Sequence, residues 1–220
     1  MGRKMIITLD GPAGAGKSTV SRQLARKLGY VYLDTGSLYR ALAYKALKTV
    51  TPLDDEAAVA LLCSRTEVAL KNTEGALRVF LDNKDVTELI RTEEVSFAAS
   101  KISAYGAVRK FLLDLQRQAG AGGGLVAEGR DMGSVVFPHA DYKFYLDAAV
   151  EERTTRRYKE LLAKGLDAEY QSLQDDMVAR DRQDRQRRHS PLKVPDEAII
   201  IDSTNMSVEQ VTKKILNYLP

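Results

Sequence analysis

Residues 11–18 read Gly-Pro-Ala-Gly-Ala-Gly-Lys-Ser and follow directly on the apolar run Met5-Ile6-Ile7-Thr8-Leu9-Asp10. The spacing G-x-x-x-x-G-K-[ST], set between a strand-like and a helix-like segment, is that of a phosphate-binding loop. Its glycines let successive backbone N–H groups turn inward around a polyphosphate, a conformation that a Cβ obstructs. The helix that starts near Gly16 adds its positive dipole end to the same place. Lys17 can reach the β- and γ-phosphates of a nucleoside triphosphate, and the Ser18 hydroxyl is a ligand for Mg²⁺. Gly11, Pro12, Ala13, Gly14, Ala15, Gly16, Lys17, Ser18 and Thr19 are therefore the expected triphosphate site.

Such a loop alone does not say what receives the phosphate, so the second site matters. Asp34-Thr35-Gly36-Ser37-Leu38-Tyr39-Arg40 turns from a strand into a helix and presents its hydroxyls and N–H groups at the same sheet edge. Arg40, one turn later, either grips an anion bidentately or is an ordinary arginine on the polar face of a helix. Glu128-Gly129-Arg130-Asp131-Met132-Gly133 places a charged triplet between glycines at a strand's carboxyl end, a position that favours ligand binding. There Arg130 suits a phosphate, Asp131 suits an amino group, and Glu128 is placed to help orient a magnesium shell.

Two arginine-rich runs follow. Arg180-Asp181-Arg182-Gln183-Asp184-Arg185-Gln186-Arg187-Arg188 is open to two bland readings. One is a solvated helix laced with Asp181–Arg185 and Asp184–Arg188 pairs, and the other is an RNA-binding patch, which the lack of interleaved aromatic residues disfavours. Glu151-Glu152-Arg153-Thr154-Thr155-Arg156-Arg157 precedes Lys164-Gly165, a candidate hinge. Phosphoryl transfer asks the protein for positioning and charge neutralisation, and a mobile arginine-bearing lid supplies both while excluding water.

The elements that must hold these groups follow from the apolar pattern. Besides 5–10, buried-strand runs occur at Tyr30–Leu33, Leu125–Ala127, Tyr142–Leu146 and Ala198–Ile201. Helix-like segments lie at about 17–28, 36–48, 92–118, 150–164, 168–189 and 207–218. Strands alternating with helices predict an α/β fold, a parallel sheet covered on both faces, with ligands at the carboxyl ends of the strands. Residues 66–90 break the rhythm: Val68 and Leu70, the turn Asn72-Thr73-Glu74-Gly75, then Leu77, Val79 and Leu81 alternate as a hairpin does. Gly120–Gly124 reads as a flexible loop.

The 220 residues suit one domain with insertions and a sizeable core. Lys and Arg number 33 against 30 Asp and Glu, so the formal charge of +3 indicates no broad nucleic-acid footprint. The single Cys63 excludes an internal disulfide and a cysteine metal cluster. Met1-Gly2-Arg3-Lys4 leads straight into the first strand, and no run approaches the ~20 apolar residues of a membrane span. A cytoplasmic protein with no membrane partner is expected. No apolar surface stripe stands out, which leaves a monomer as the default.

Taken together, the segments around the phosphate loop, Leu33–Arg40, Glu128–Pro138, Glu151–Arg157, Arg180–Arg187 and Asp202-Ser203-Thr204 resemble the bacterial cytidylate kinases, within the nucleoside monophosphate kinase group. They span nearly the whole chain in that family's order, and Gly-Arg-Asp-Met-Gly is far more specific than the phosphate loop. The resemblance implies the P-loop kinase fold: a five-stranded parallel sheet, a small antiparallel insertion at about 63–101 and a short lid at about 153–166. It implies Mg²⁺-assisted phosphoryl transfer from ATP to CMP or dCMP. By position, Thr35, Ser100, Arg109 and Asp131 correspond to base contacts, and Arg40, Arg130 and Arg187 to grips on the monophosphate. Arg180 and Asp184 correspond to ribose contacts. Lys17, Arg130 and the lid arginines Arg153 and Arg157 correspond to the groups that meet the transferring phosphoryl. Thr35 carries a methyl group where many relatives have Ser, which bears on base preference.

Three other readings compete. One is a P-loop kinase for another small acceptor, such as UMP or a metabolite hydroxyl. A GTP-dependent switch requires Asn-Lys-x-Asp, and Asn83-Lys84-Asp85 is one residue too short. A nucleic-acid module built on the arginine helix predicts strongly salt-dependent binding.

Overall fold

In chain order the strands are β1 (Ile6–Asp10), β2 (Val31–Asp34), β3 (Val68–Thr73), β4 (Ala76–Leu81), β5 (Lys84–Asp85), β6 (Leu125–Gly129), β7 (Tyr142–Asp147) and β8 (Ile199–Asp202). The helices are α1 (Lys17–Leu28), α2 (Thr35–Lys48), α3 (Glu56–Ser64), α4 (Glu93–Ile102), α5 (Gly106–Ala119), α6 (Val150–Ala163), α7 (Tyr170–Gln186) and α8 (Val208–Leu216). The computed structural model describes residues 4–73 and 76–220. Met1, Gly2 and Arg3, and the Glu74-Gly75 half of the expected hairpin turn, lie outside the described residues.

The five apolar runs pair as a parallel sheet in the order β2-β6-β1-β7-β8. β1 and β6 sit centrally and are buried almost throughout, as strands covered on both faces must be. Leu24, Val20, Val211 and Ile215 from α1 and α8 close one face over Ile7, Leu9 and Phe144. On the other side of the molecule Leu38, Leu42, Ile102, Val108 and Leu112 of α2, α4 and α5 form a second core. Register brings Asp34, Glu128 and Leu9 level, with Asp10 beside Gly129. The acidic strand ends thus meet at one edge.

β3 and β4 form the expected antiparallel hairpin, with β5 added to β4. The hairpin is not detached: Ala76 pairs with Tyr32 in parallel, so the insertion extends the main sheet at its β2 edge. Two details depart from the sequence expectation. The long helix at 92–118 is two helices, broken at Ser103–Tyr105, where the Arg109 Nε donates to the Ser103 carbonyl at 2.7 Å. A side chain from the first turn of the next helix, six residues on, satisfies the carbonyl that the break leaves open. α3 was not anticipated; its start is marked by Asp55, whose side chain accepts from Ala57 N at 2.9 Å and Ala58 N at 3.1 Å.

Candidate active site

A cleft of about 940 Å³ opens at the carboxyl edge of the sheet, lined by the phosphate loop, β2–α2, α4, the β6 turn, α6 and α7. Ala13 to Thr19 border it directly. Gly11 and Pro12 do not, and their part is structural. Gly11 has φ of +147°, and a Cβ there would stand 2.0 Å from the Leu146 carbonyl oxygen of β7. The Pro12 carbonyl accepts a hydrogen bond from Lys17 Nζ at 2.6 Å. Burial, then the nearby Arg130, pull the Lys17 ammonium down to about 7, although Glu128, Asp10 and Asp184 partly restore it.

The turn after β6 is held by Asp10, to which the sequence alone assigns no role. Both oxygens of buried Asp10 accept backbone N–H groups, from Met132 at 2.7 Å and Gly133 at 2.8 Å. They fix a π-helical turn at Met132–Val136 and, with it, Arg130 and Asp131 just before. Burial pushes the Asp10 carboxyl up to about 6 in spite of those two bonds. Gly129 is required in the same turn, because a Cβ would stand 2.7 Å from Thr35 Oγ1. Thr35 Oγ1 donates to the Glu128 carbonyl at 2.7 Å.

Most arginines of the cleft floor are paired with carboxylates. Arg109 Nη1 lies 2.8 Å from Asp131 Oδ2 and its guanidinium stands 5.3 Å over the Tyr39 ring. Arg130 Nε lies 2.8 Å from Asp184, whose other oxygen is 3.1 Å from Arg187 Nη1. Arg40 Nη2 lies 2.5 Å from Asp34. Burial pushes the Asp184 carboxyl up, but Arg130, Arg187 and Arg180 outweigh it and hold the group below its ordinary range. Arg180 and Arg187 are pulled down to about 10, first by burial and then by neighbouring arginines, Arg130 and Arg109 respectively. Arg180 Nε and Arg187 Nη2 are buried without a hydrogen-bond partner in the protein. Crowded, desolvated cations with unused donors are the environment in which a phosphate dianion binds strongly.

The solvated-helix reading of α7 is corrected by these contacts. Asp181 pairs with Arg153 at 2.7 Å and Asp184 with Arg130 and Arg187, so both carboxylates turn inward rather than to Arg185 and Arg188.

Arg153 is positioned beneath the loop rather than in the cleft. Its Nε donates to the Ala148 carbonyl at 2.9 Å, its Nη1 to the Ala13 carbonyl at 3.0 Å, and the Asp181 salt bridge takes Nη2. Arg156 and Arg157 border the cleft instead. Arg156 is tied to the Ser203 carbonyl at 2.6 Å and to Glu152 at 2.9 Å, and Arg157 to Glu160 at 2.7 Å and to Glu93 on α4. Ser100 also lines the cleft, its carbonyl accepting from Gln183 Nε2 at 2.7 Å.

The donor set suited to a cation is all oxygen. Burial first and then Asp34 raise the Glu128 carboxyl, while Lys17, Tyr32 and Ser18 beside it act in the opposite direction. No group of three or more His, Cys, Asp or Glu able to hold an ion occurs among the described residues. This arrangement fits Mg²⁺, which takes one or two protein oxygens and completes its shell with water and phosphate.

Sequence reasoning gave no role to Asp10 or Tyr39, and named Arg156 only within the arginine-rich lid cluster. All three lie inside segments whose neighbours were singled out, but each acts on a residue distant in sequence. No helix among the described residues is long and apolar enough to cross a membrane.

The family model described as cytidylate kinase matches residues 7–220. A protein named cytidylate kinase from Pasteurella multocida is 45% identical over 219 residues, covering 100% of this chain and 96% of the relative. Another of that name from Syntrophotalea carbinolica is 45% identical over 98% of this chain and 92% of its own length. Among solved structures, shikimate kinase from Bacteroides thetaiotaomicron superposes with a TM-score of 0.52 at 14% identity, covering 98% of both chains, a likeness of fold alone.

Proposed function

The chain belongs to the cytidylate kinase family, and from that premise we propose how its cleft transfers a phosphoryl group. The reaction is ATP-dependent phosphorylation of CMP to CDP. The phosphate loop with Lys17 holds the triphosphate of ATP, and Mg²⁺ is held by Ser18 with Glu128 placed behind it. Arg40, Arg130 and Arg187 hold the CMP phosphate, Arg180 and Asp184 its ribose, and Thr35, Ser100, Arg109 and Asp131 its base. Asp131 offers the acceptor that a cytosine amino group needs. dCMP is a second acceptor on this reading, since base and phosphate are gripped apart from the 2′-hydroxyl.

One observation carries the reading: Lys17 and the Arg130–Asp184–Arg187–Arg180 cluster line one cleft, with unused donors of Arg180 and Arg187 buried in that cluster. The acceptor oxygen is aligned with the γ-phosphorus by these cations, and the developing charge is met by groups already in place. No general base is required, because the attacking phosphate is largely ionised at neutral pH. Mg²⁺, when bound, neutralises charge on the β- and γ-oxygens. Residues 153–166 act as the lid, with Arg157 reaching the transferring group on closure and Arg153 bracing the loop from below.

The protein is taken as a cytoplasmic monomer that binds nucleotides and not nucleic acid, in keeping with its small net charge of +3. Coupled ADP release with ATP, Mg²⁺ and each of CMP, dCMP, UMP and AMP tests the proposal. Fast turnover with CMP and dCMP, little with AMP, and none after chelation of the metal are expected. Turnover confined to another monophosphate overturns the base contacts, and turnover that survives chelation overturns the role of Ser18.

A further inference from the structure

Tyr32 on β2 is buried and does not line the cleft, yet its phenol donates to Glu128 Oε1. Glu128 is itself buried and meets the Ser18 hydroxyl and the charge of Lys17. Arg22, at the cleft surface one turn after Ser18, holds its guanidinium over the Tyr32 ring, 5.5 Å from its centre. The Glu128 main chain is already pinned between β1 and β2, by register and by the Thr35 hydroxyl. Only its side-chain torsions are left to settle, and Asp34 on the neighbouring strand repels the carboxylate.

We propose that Tyr32 is a positioning residue for phosphoryl transfer: its phenol holds the Glu128 carboxylate in the one orientation that faces Ser18 and the metal-bound triphosphate. This rests on the reading of Ser18 as a Mg²⁺ ligand. A glutamate has three side-chain torsions and a like charge beside it, so it needs an outside donor to stay in one rotamer. The phenol supplies that donor from a rigid strand. Groups that orient a metal's immediate ligands in this way change metal affinity or activity by about 10- to 100-fold when removed.

The test compares Tyr32→Phe, Glu128→Gln and the double variant. Tyr32→Phe keeps the ring, its packing and the Arg22 contact, and loses one hydroxyl. Without CMP, so that no turnover occurs, ATP affinity is measured by calorimetry with Mg²⁺ and again with EDTA. The gain in affinity conferred by Mg²⁺ falls about tenfold in Tyr32→Phe, while affinity in EDTA is unchanged. Turnover falls with KM for CMP unaltered. The double variant loses no more than Glu128→Gln, because one interaction is being removed twice. An unchanged Mg²⁺ gain in Tyr32→Phe beside a reduced one in Glu128→Gln overturns the positioning role and leaves the metal reading standing. Losses that add in the double variant show a general structural role and overturn it too. An unchanged gain in all three overturns both, which Ser18→Ala then confirms by keeping its own.

Discussion

The floor and the rim of the cleft are both built from arginine–carboxylate pairs, and they behave differently. Arg109–Asp131 and Arg130–Asp184–Arg187 on the floor, and Arg153–Asp181 beneath the phosphate loop, join side chains that are mostly less than a tenth exposed. On the rim, Arg157–Glu93, Arg157–Glu160 and Lys164–Glu160 involve side chains 28% to 61% exposed. A buried pair cannot be broken without leaving a charge in a low-dielectric interior, which costs several kcal/mol. An exposed pair is replaced by water at about 0–1 kcal/mol. The same chemistry therefore gives a rigid floor below and exchangeable contacts above, where Arg157 of α6 meets Glu93 of α4. Arg157 can leave Glu93 at little expense; Arg130 cannot leave Asp184 so freely.

The comparison can be broken most decisively at Asp184. Asp184→Ala strands Arg130 and Arg187, and urea unfolding is expected to show a loss of about 3–5 kcal/mol. A loss under 1 kcal/mol would mean that the floor is as adaptable as the rim. Lys17→Met comes next: turnover drops about 10²- to 10³-fold with the circular dichroism spectrum retained, since a preorganised charge facing the transferred group is removed. Full turnover in that variant would sink the mechanism.

A subtler consequence concerns Asp10. Its folded carboxyl titrates near 6 against 3.8 ordinarily, so the native state binds the extra proton between those values. Stability from this group is greatest at low pH and is lost as pH rises through about 6, by on the order of 3 kcal/mol. Measured against Asp10→Asn, the wild type should lose stability across that window; a flat difference would show that the two backbone bonds offset the whole cost of burial. The smallest effect lies on the rim. Glu93→Gln should change the unfolding free energy by less than about 1 kcal/mol, and raising the salt should leave even less of it. A larger, salt-resistant loss would make the rim a fixed latch.

The sequence was most legible where structure is local. The phosphate loop, the five apolar runs and the hairpin all follow from residues within a few positions of one another, because strand pattern and glycine-rich turns are short-range properties. Helix ends were legible to within a few residues. α3 escaped because nine residues after Asp55 carry little periodicity, and the break between α4 and α5 escaped because Arg109 stabilises it through the Ser103 carbonyl.

Charge partners were the part that sequence could not assign. Along α7, Asp181–Arg185 and Asp184–Arg188 have ideal helical spacing, and propensity alone pairs them. Packing of α7 against α6 and beside the turn after β6 chose Arg153 and Arg130 instead, the latter 54 positions away. Likewise Asp10 meets Met132 and Gly133 across more than 120 residues, and Tyr32 meets Glu128 across 96. Residue types and their spacing determined a phosphate-loop motif at the carboxyl edge of a parallel sheet. Which carboxylate each arginine faces, and which groups are dry enough for that to matter, was decided only when the strands came into register. Desolvation and opposite charge act through space, and distance in space is what the fold, not the order of residues, sets.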